Sequence, residues 1–534
     1  MVTSSRRLYF AVLGSLLVAY LLPFWLLQIL PCQDLPQHLA YTRVFADFSR
    51  TDLRFSEFYR LPEHFEPYFS VYIAMAWLSR WISLSVAMRL LMTAYVVGMF
   101  ASFHVLVASV RRTPTSSLRD PQWSTPLVAL AVFSPSVAMG FLSYFLCIPL
   151  LLLGVAGAVG AVNEHSRRYD FAFLLTAALL LPSIHTVAAG AFLLFLLFFA
   201  IAAYRRAWDN PTFLTVPLSV VLFVTWAWNR WGNLGLGHAP SFNWREAMAK
   251  TLAFDVVNPL FRLTWSDPPI VLSQISWTVL GPFRWDSQLM LAIILIAFIR
   301  FLRLNGRPLS LSPPPAYRSA AVAFAIFCCL LPWGLYVPTE VTFINLRMET
   351  IGYVLLLAAI DPSWFEKARS RALLVAVSLV VIANFSLRSY QFNREARTAL
   401  DLIDRVEDNK ILMSLPFHNR TDYFAKQIRL THFLPMYYMV QRGGIASQFW
   451  AKYTDHLPID YRPGKRPIQT PDWNPEQFKD EHLATADYLL AQWASPQDAH
   501  ETRTASDRVQ GMLNANSTVT KIDCEGLWCL YRLR

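Results

Sequence analysis

The sequence consists mainly of apolar runs long enough to cross a membrane, separated by short charged or proline-containing segments. A helix needs roughly 20 apolar residues to cross the hydrocarbon core of a bilayer. Hydrophobic residues make up 55% of the chain and charged residues 16%, whereas about a quarter of a soluble protein is charged. We therefore predict an all-α polytopic membrane protein with about eleven transmembrane helices, at residues 8–30, 85–110, 125–139, 141–162, 171–184, 186–204, 212–229, 286–304, 319–337, 346–361 and 372–388.

The basic residues indicate which loops face the cytoplasm. The net charge is +11, and the arginines and lysines cluster in short loops between apolar runs. If residues 67–82 form an amphipathic helix at the membrane surface, all these clusters lie on one side, as the positive-inside rule requires. If residues 67–82 cross the membrane instead, Arg111, Arg112 and the later clusters are inverted. The surface helix is the better interpretation, and basic residues used in this way predict no nucleic-acid partner.

This topology places the long loops on the outer side. That side receives a first loop at residues 31–84, a long loop at residues 230–285 and everything after residue 389. We divide the chain into a transmembrane domain, residues 1–389, and an extracytoplasmic domain, residues 390–534. The outer segments hold most of the acidic, histidine and tryptophan residues, so function is expected there.

The C-terminal region has more charge and shorter apolar runs than the rest of the chain. Its patterns predict a small α/β domain, with strands at residues 410–415, 488–491, 519–522 and 527–533 and helices at residues 394–405 and 505–513. Cys524 and Cys529 flank a predicted hairpin turn. A disulfide can form there in an oxidising compartment, but spacing alone leaves open whether the two are bonded.

The first apolar run is followed by a polar stretch, Pro31 to Ala40, in which Asp34 and His38 lie four residues apart. Residues at this spacing share one face of a helix. Since the stretch directly follows a membrane helix, that helix fixes the depth of Asp34. Asp34 also suits a helix N-cap, with Pro36 in the first turn. A carboxylate can do both, and we predict a functional Asp34.

The first loop contains a second combination of carboxylate and imidazole in Glu63, His64 and Glu66. Such side chains suit a substrate hydroxyl or a divalent cation. The identity of any metal ligand stays open, as does the dependence on Mg²⁺ or Mn²⁺.

Four further candidates lie near the outer ends of other apolar runs: Arg89, Tyr144, His185 and Arg347. The two arginines suit a phosphate group, because a guanidinium stays charged and forks onto pairs of oxygen atoms. The alternative for an arginine is to extend to the membrane surface without binding a ligand. The alternative for His185 is a hydrogen bond to a neighbouring membrane helix.

This arrangement resembles the C-type glycosyltransferase superfamily, which includes oligosaccharyltransferases, protein O-mannosyltransferases and lipid A aminoarabinose transferases. The resemblance covers about residues 1–390 and depends on one span, an outer loop that opens with an acid, a surface helix, many further spans and an outer C-terminal domain. Asp34 matches the acidic residue of that loop. Residues 140–146 and 345–347 are loosely similar to segments of bacterial members. The adjacent Asp-Glu pair of O-mannosyltransferases is missing from residues 33–40.

The resemblance implies a sugar donor carried on a polyprenyl phosphate, an association with membrane lipid, and a location in a bacterial inner membrane with the active site on the periplasmic side. We expect Asp34 to be the general base of an inverting transfer to a glycan, lipid or protein acceptor. His38, Glu63, His64, Glu66, Arg89, Tyr144, His185 and Arg347 are the expected substrate-binding residues. The alternatives are a polysaccharide polymerase or ligase, and a polytopic transporter.

Overall fold

The structure is a computed structural model that describes residues 2–61, 69–111, 120–162, 168–203, 215–224, 268–304, 315–331, 334–335, 341–342, 344–365, 367–425, 428–449, 459–462, 464–465 and 475–533. The helices are α1 (Val2–Leu26), α2 (Leu35–Asp47), α3 (Phe55–Phe58), α4 (Phe69–Leu78), α5 (Leu84–Val110), α6 (Ala129–Val132), α7 (Pro135–Met139), α8 (Leu142–Val162), α9 (Arg168–Ile184), α10 (Thr186–Ala202), α11 (Thr215–Val224), α12 (Pro268–Leu280), α13 (Trp285–Leu304), α14 (Pro315–Leu330), α15 (Ile344–Ala358), α16 (Ala368–Ile403), α17 (Tyr437–Arg442) and α18 (His500–Ala515). Short 3₁₀ helices lie at Thr51–Leu53, Thr125–Val128, Pro362–Phe365, Leu434–Met436, Pro475–Gln477 and Asp480–Thr485.

Four helices in the described part of the chain are long and apolar enough to cross a membrane: Ser5–Leu26, Leu84–Val110, Leu142–Val162 and Ala368–Ile403. They lie at four of the predicted spans. Shorter apolar helices lie at other predicted spans, at Thr186–Ala202, Thr215–Val224 and Pro315–Leu330, and apolar helical segments lie within Thr125–Met139. The protein is therefore a mainly helical integral membrane protein, and the number of eleven spans stays a prediction.

The predicted span at residues 125–139 is not one continuous helix. A 3₁₀ turn leads into α6, the chain leaves the helical conformation at Phe133 and Ser134, and α7 begins at Pro135. Proline disfavours a helical conformation in the residue before it, and Ser134 is extended, with φ −79° and ψ 166°. Gly140 then ends α7 with a φ of +83°.

The predicted surface helix at residues 67–82 is represented in the described residues by α4. Its Tyr72 and Met75 are buried in the second unit defined below, whereas Ile73 and Trp77 are exposed. The helix is therefore apolar on both faces, and its description as amphipathic is wrong. Ten residues of helix extend about 15 Å, which is half the hydrocarbon core of a bilayer. This length favours a position at the surface over a span.

Two other boundaries differ from those predicted. The helix expected at residues 394–405 is the continuation of α16, which is 36 residues long. No proline or glycine lies between Ser389 and Arg394, so nothing in this segment ends the helix. The loop predicted at residues 230–285 contains α12, and its earlier residues, up to 267, lie outside the described part.

The chain divides into two compact units. The first comprises the described residues among 1–24 and 91–386, and the second those among 25–63, 68–90 and 387–534. The second unit therefore combines the first loop with the C-terminal region. The proposed division at residue 389 into a membrane domain and an extracytoplasmic domain stays a prediction.

The second unit contains a five-stranded sheet, ordered β5 (Ile445–Ala446), β4 (Ile411–Pro416), β7 (Tyr488–Gln492), β9 (Trp528–Arg532) and β8 (Thr520–Glu525). Strands β5, β4 and β7 are parallel, whereas β9 is antiparallel to both β7 and β8. Leu489, Tyr531 and Val509 belong to the core that one face of the sheet forms with α18. Shorter antiparallel pairs join β1 (Tyr59–Arg60) to β6 (Asp460–Tyr461), and β2 (Gly334–Leu335) to β3 (Val341–Thr342).

Candidate active site

Asp34 lies at the start of α2, eight residues after the end of α1, and 4% of its surface is exposed. Its backbone carbonyl accepts a hydrogen bond from His38 N, at 3.1 Å. Its side chain makes no capping bond to the helix. Instead, Asp34 Oδ1 accepts a bond from Gln33 Nε2, at 3.2 Å. The carboxylate is thus buried at the end of a helix without acting as its cap.

Two glutamines attach the Asp34 loop to later segments of the second unit. Gln33 Oε1 accepts a bond from the backbone N–H of Arg429, at 2.7 Å. Gln37 Nε2 donates to the backbone carbonyl of Gln448, at 2.5 Å. Burial, and secondly the charge of Asp34, raise the pKa of the adjacent Cys32 thiol. The loop is therefore a buried polar segment whose backbone and side chains are held in place.

His38 is directed toward α4 of the second unit. Its Nδ1 atom lies 2.6 Å from the hydroxyl of Tyr72, and the two rings are stacked with centroids 5.6 Å apart. The backbone carbonyl of His38 accepts a bond from Thr42 Oγ1, at 2.8 Å. This pairing gives His38 a role in positioning α2 against α4.

Arg89 lies in the first turns of α5, in the second unit. Its Nη2 atom donates to the carbonyl of Leu27, at 3.0 Å. That carbonyl follows the last turn of α1, where helical carbonyls lack partners within the helix. At least one arm of the guanidinium therefore stabilises the end of α1.

In the first unit, three of the predicted residues lie together: Arg347, Tyr144 and His185. The guanidinium carbon of Arg347 is 4.1 Å from the ring centroid of Phe141 and 5.8 Å from that of Tyr144. Tyr144 donates its hydroxyl to the backbone carbonyl of Arg347, at 2.7 Å, and makes an edge contact with His185 at 5.2 Å. Among the described residues, buried Arg347 Nε has no hydrogen-bond partner. A guanidinium that lies against aromatic rings and has an unused N–H is suited to bind an anion.

Three predicted site residues lie outside the described part of the chain: Glu63, His64 and Glu66. The described residues contain no group of three or more His, Cys, Asp or Glu side chains arranged to hold a metal ion. A divalent cation accordingly stays an open prediction.

Sequence reasoning missed several residues of these sites. Phe141 lies in the segment 140–146 noted above, but nothing in the sequence indicates that its ring packs against Arg347. Gln33 and Gln37 flank Asp34 at helical spacing, which was an available signal. Tyr72 and Arg429 gave no signal, because their contacts join distant parts of the chain.

The fold is that of a polytopic, mainly helical membrane protein, and a buried carboxylate follows its first helix. No protein-family model and no curated protein sequence matches the chain. Among solved structures, it is similar to the crystal structure of ArnT from Cupriavidus metallidurans bound to undecaprenyl phosphate. The match covers 100% of this chain and 99% of that chain, with a TM-score of 0.51 and 9% sequence identity. At this identity the likeness shows a shared fold.

Proposed function

We propose that this protein is a membrane glycosyltransferase that moves a sugar from a lipid-phosphate donor to an acceptor hydroxyl on the extracytoplasmic side. The full-length structural likeness is to ArnT, a C-type glycosyltransferase whose structure holds undecaprenyl phosphate. The sequence resembles the same superfamily independently of this structural likeness. The observation that carries the proposal is the buried carboxylate of Asp34, at the chain position of the acidic residue in that superfamily.

Asp34 acts as the general base. The acceptor hydroxyl oxygen attacks the anomeric carbon while its proton passes to the Asp34 carboxylate. The bond between the anomeric carbon and the phosphate oxygen breaks, and the lipid phosphate leaves with that oxygen. Direct displacement inverts the anomeric configuration. General base catalysis accelerates such a step by about 10² to 10⁴.

Arg347 stabilises the departing lipid phosphate. Negative charge develops on that group as the bond breaks, and a guanidinium bound to it lowers the barrier. The rings of Phe141 and Tyr144 contact the guanidinium. Its unused Nε–H gives it a donor for a phosphate oxygen.

Two observations support the extracytoplasmic side for the second unit. The basic clusters between apolar runs place the C-terminal region opposite the cytoplasm by the positive-inside rule. Cys524 and Cys529 face each other across the β8–β9 hairpin and are joined by a disulfide. Disulfides persist in oxidising compartments such as the bacterial periplasm.

Reconstitution tests the proposal. Purified protein in liposomes is given radiolabelled polyprenyl-phosphate sugars together with membrane glycans and lipids as acceptors. We expect label to appear in an acceptor with release of the lipid phosphate. Uptake of labelled solute into the liposomes, with no transfer from any lipid-linked donor, would show a transporter instead.

A further inference from the structure

The parallel strands of the second unit end at one edge of the sheet. Strands β5, β4 and β7 run in the same direction and end at Ala446, Pro416 and Gln492. In open α/β sheets, ligands bind in the crevice outside the carboxyl ends of the strands. A second ligand-binding site is therefore expected at this edge of the sheet.

A histidine and an aspartate lie at this edge. His418 follows β4 by two residues, and its backbone N–H donates to the carbonyl of Gln492 at 3.3 Å. His418 Nδ1 is 2.8 Å from Asp498 Oδ2. The same carboxylate oxygen accepts the backbone N–H of Ser495, at 2.7 Å. Asp498 is thus held by the backbone and in turn orients the imidazole.

This arrangement leaves one nitrogen of the imidazole as an acceptor. A carboxylate oxygen accepts the hydrogen bond that Nδ1 donates, and in the neutral form of an imidazole bonded in this way Nε2 has a lone pair. Within the described part of the chain, Nε2 makes no hydrogen bond. The side chains of His418 and Asp498 are 14% and 15% exposed, so solvent reaches them. Nε2 can therefore accept a hydrogen bond from a hydroxyl group of a ligand.

Two amide side chains at the same edge offer further hydrogen bonds. Gln492 ends β7 and Gln448 lies two residues after β5, and each is 1% exposed. Gln492 Oε1, and both Oε1 and Nε2 of Gln448, lack a hydrogen-bond partner among the described residues. Buried polar atoms normally have a protein or water partner. An imidazole and two amides together suit an uncharged ligand with several hydroxyls.

The edge is joined to the Asp34 loop within the second unit. Gln37 donates to the carbonyl of Gln448, and Gln33 accepts the N–H of Arg429. Two residues beyond Arg429, Thr431 Oγ1 donates to the carbonyl of His418, at 3.3 Å. A ligand at the edge therefore lies beside a segment that is bonded to the neighbour of Asp34.

We propose that the His418–Asp498 edge binds a carbohydrate acceptor, with His418 Nε2 accepting a hydrogen bond from one of its hydroxyls. This inference rests on the proposed function, and it narrows the acceptor from any hydroxyl compound to a neutral glycan. His418 positions the acceptor, whereas Asp34 removes the proton during transfer. The two amides bind neighbouring hydroxyls.

Chemical modification tests binding directly, without the sugar donor. Diethyl pyrocarbonate reacts with accessible neutral imidazole nitrogens, and mass spectrometry gives the rate at each histidine. Neutral oligosaccharides of glucose, mannose and galactose, at millimolar concentration, are the probes. We expect at least one to slow modification of His418 severalfold and to leave exposed His500 unchanged. Asp498→Asn abolishes the protection. Equal rates at His418 with and without every probe would contradict the assignment, as would protection by divalent cations alone.

Transfer kinetics separate this inference from the proposed function. His418→Gln raises the KM for a glycan acceptor about tenfold, the loss expected for one hydrogen bond, and it changes KM more than kcat. His500→Gln is the control and leaves both unchanged. If the wild-type protein transfers sugar and His418→Gln has an unaltered KM for the acceptor, the assignment of the acceptor site is wrong and the proposed function stands. If an oligosaccharide protects His418 but the wild-type protein transfers no sugar, the carbohydrate site stands and the proposed function is wrong.

Discussion

Arg347 is the residue whose contacts most directly indicate an anionic ligand. Its guanidinium lies 4.1 Å from the ring centroid of Phe141, and its buried Nε–H is unused in the described part of the chain. Arg347→Lys keeps the charge but loses the planar fork and the stacking. We expect the KM for the lipid-phosphate donor to rise about ten- to hundredfold, since bonds to charged groups contribute about 1.5–3 kcal/mol. Initial rates measured against donor concentration check this.

Arg369→Lys is the matched control for Arg347→Lys. Arg369 is an exposed arginine near the start of α16, in the first unit. Its replacement changes the same functional group at the surface, so the KM for the donor is expected to stay within twofold, about the scatter of surface substitutions. Equal effects in the two variants would contradict the phosphate role of Arg347.

His432 makes the stability of the protein depend on pH. Burial, with a smaller contribution from the charge of Arg429, lowers its pKa to about 3. In the unfolded chain its pKa is about 6.5, so the unfolded state binds the proton more readily. The contribution of neutral His432 is complete above about pH 6.5 and is lost as pH falls toward 3, at up to about 1.4 kcal/mol per pH unit.

The variant His432→Gln tests this pH dependence. It removes the titrating group, so the difference in thermal midpoint between about pH 7 and about pH 5 is expected to shrink relative to the wild type. His500→Gln removes an exposed imidazole and leaves that difference unchanged. An identical difference in wild type and His432→Gln would show that His432 is not the responsible group.

The sequence allowed Asp34 to be singled out because its place depends only on the end of one helix. Its partners were not predictable in the same way. The bond between Gln33 and Arg429 joins residues 396 positions apart, and the bond between His38 and Tyr72 joins residues 34 apart. Such pairings depend on tertiary packing, which leaves no local periodicity in the sequence.

At the scale of elements, α8 and α9 pack closely because glycines line their contact. A Cβ atom at Gly157 would lie 2.7 Å from the backbone nitrogen of Leu174, and one at Gly154 would lie 2.5 Å from Ala177 Cβ. Gly157→Ala therefore forces the helices apart, and we expect a loss of about 1–3 kcal/mol in stability. The thermal midpoint of the detergent-solubilised protein measures it.

Gly190→Ala provides the control in a neighbouring helix. Among the described residues outside its own helix, no atom lies within 4 Å of a Cβ placed at Gly190 in α10. Alanine is favoured over glycine inside a helix by about 0.5–1 kcal/mol, so this variant is expected to be equal to the wild type or more stable. A lower midpoint for Gly190→Ala than for Gly157→Ala would be inconsistent with the close contact described.

Apolar runs predicted the helices well, because membrane helices depend mainly on local hydropathy. The exceptions have local causes in the sequence. Pro135 breaks the run at residues 125–139, and the absence of proline or glycine lets α16 continue beyond residue 389. Three of the four strands predicted in the C-terminal region agree with the observed bounds to within one residue, whereas the strand predicted at residues 519–522 continues to Glu525.

At the scale of the whole molecule, the disulfide reports the compartment of the C-terminal region. The described structure has one disulfide, Cys524–Cys529, and four free cysteines. If this region is periplasmic, protein denatured without reduction reacts with a maleimide polymer at four cysteines, and reduced protein reacts at six. Gel shifts count them. Six reactive cysteines before reduction, in protein trapped directly from cells, would contradict the predicted side.

One pair of variants tests whether the Asp34 carboxylate is the base in sugar transfer. Asp34→Asn preserves size and removes the base, whereas Asp47→Asn removes a carboxylate of the same helix that is ion-paired with Arg43, at 2.7 Å. Both are measured in liposomes with radiolabelled polyprenyl-phosphate sugar. We predict a rate about 10² to 10⁴ lower for Asp34→Asn and near wild type for Asp47→Asn. Unimpaired transfer by Asp34→Asn would contradict the account.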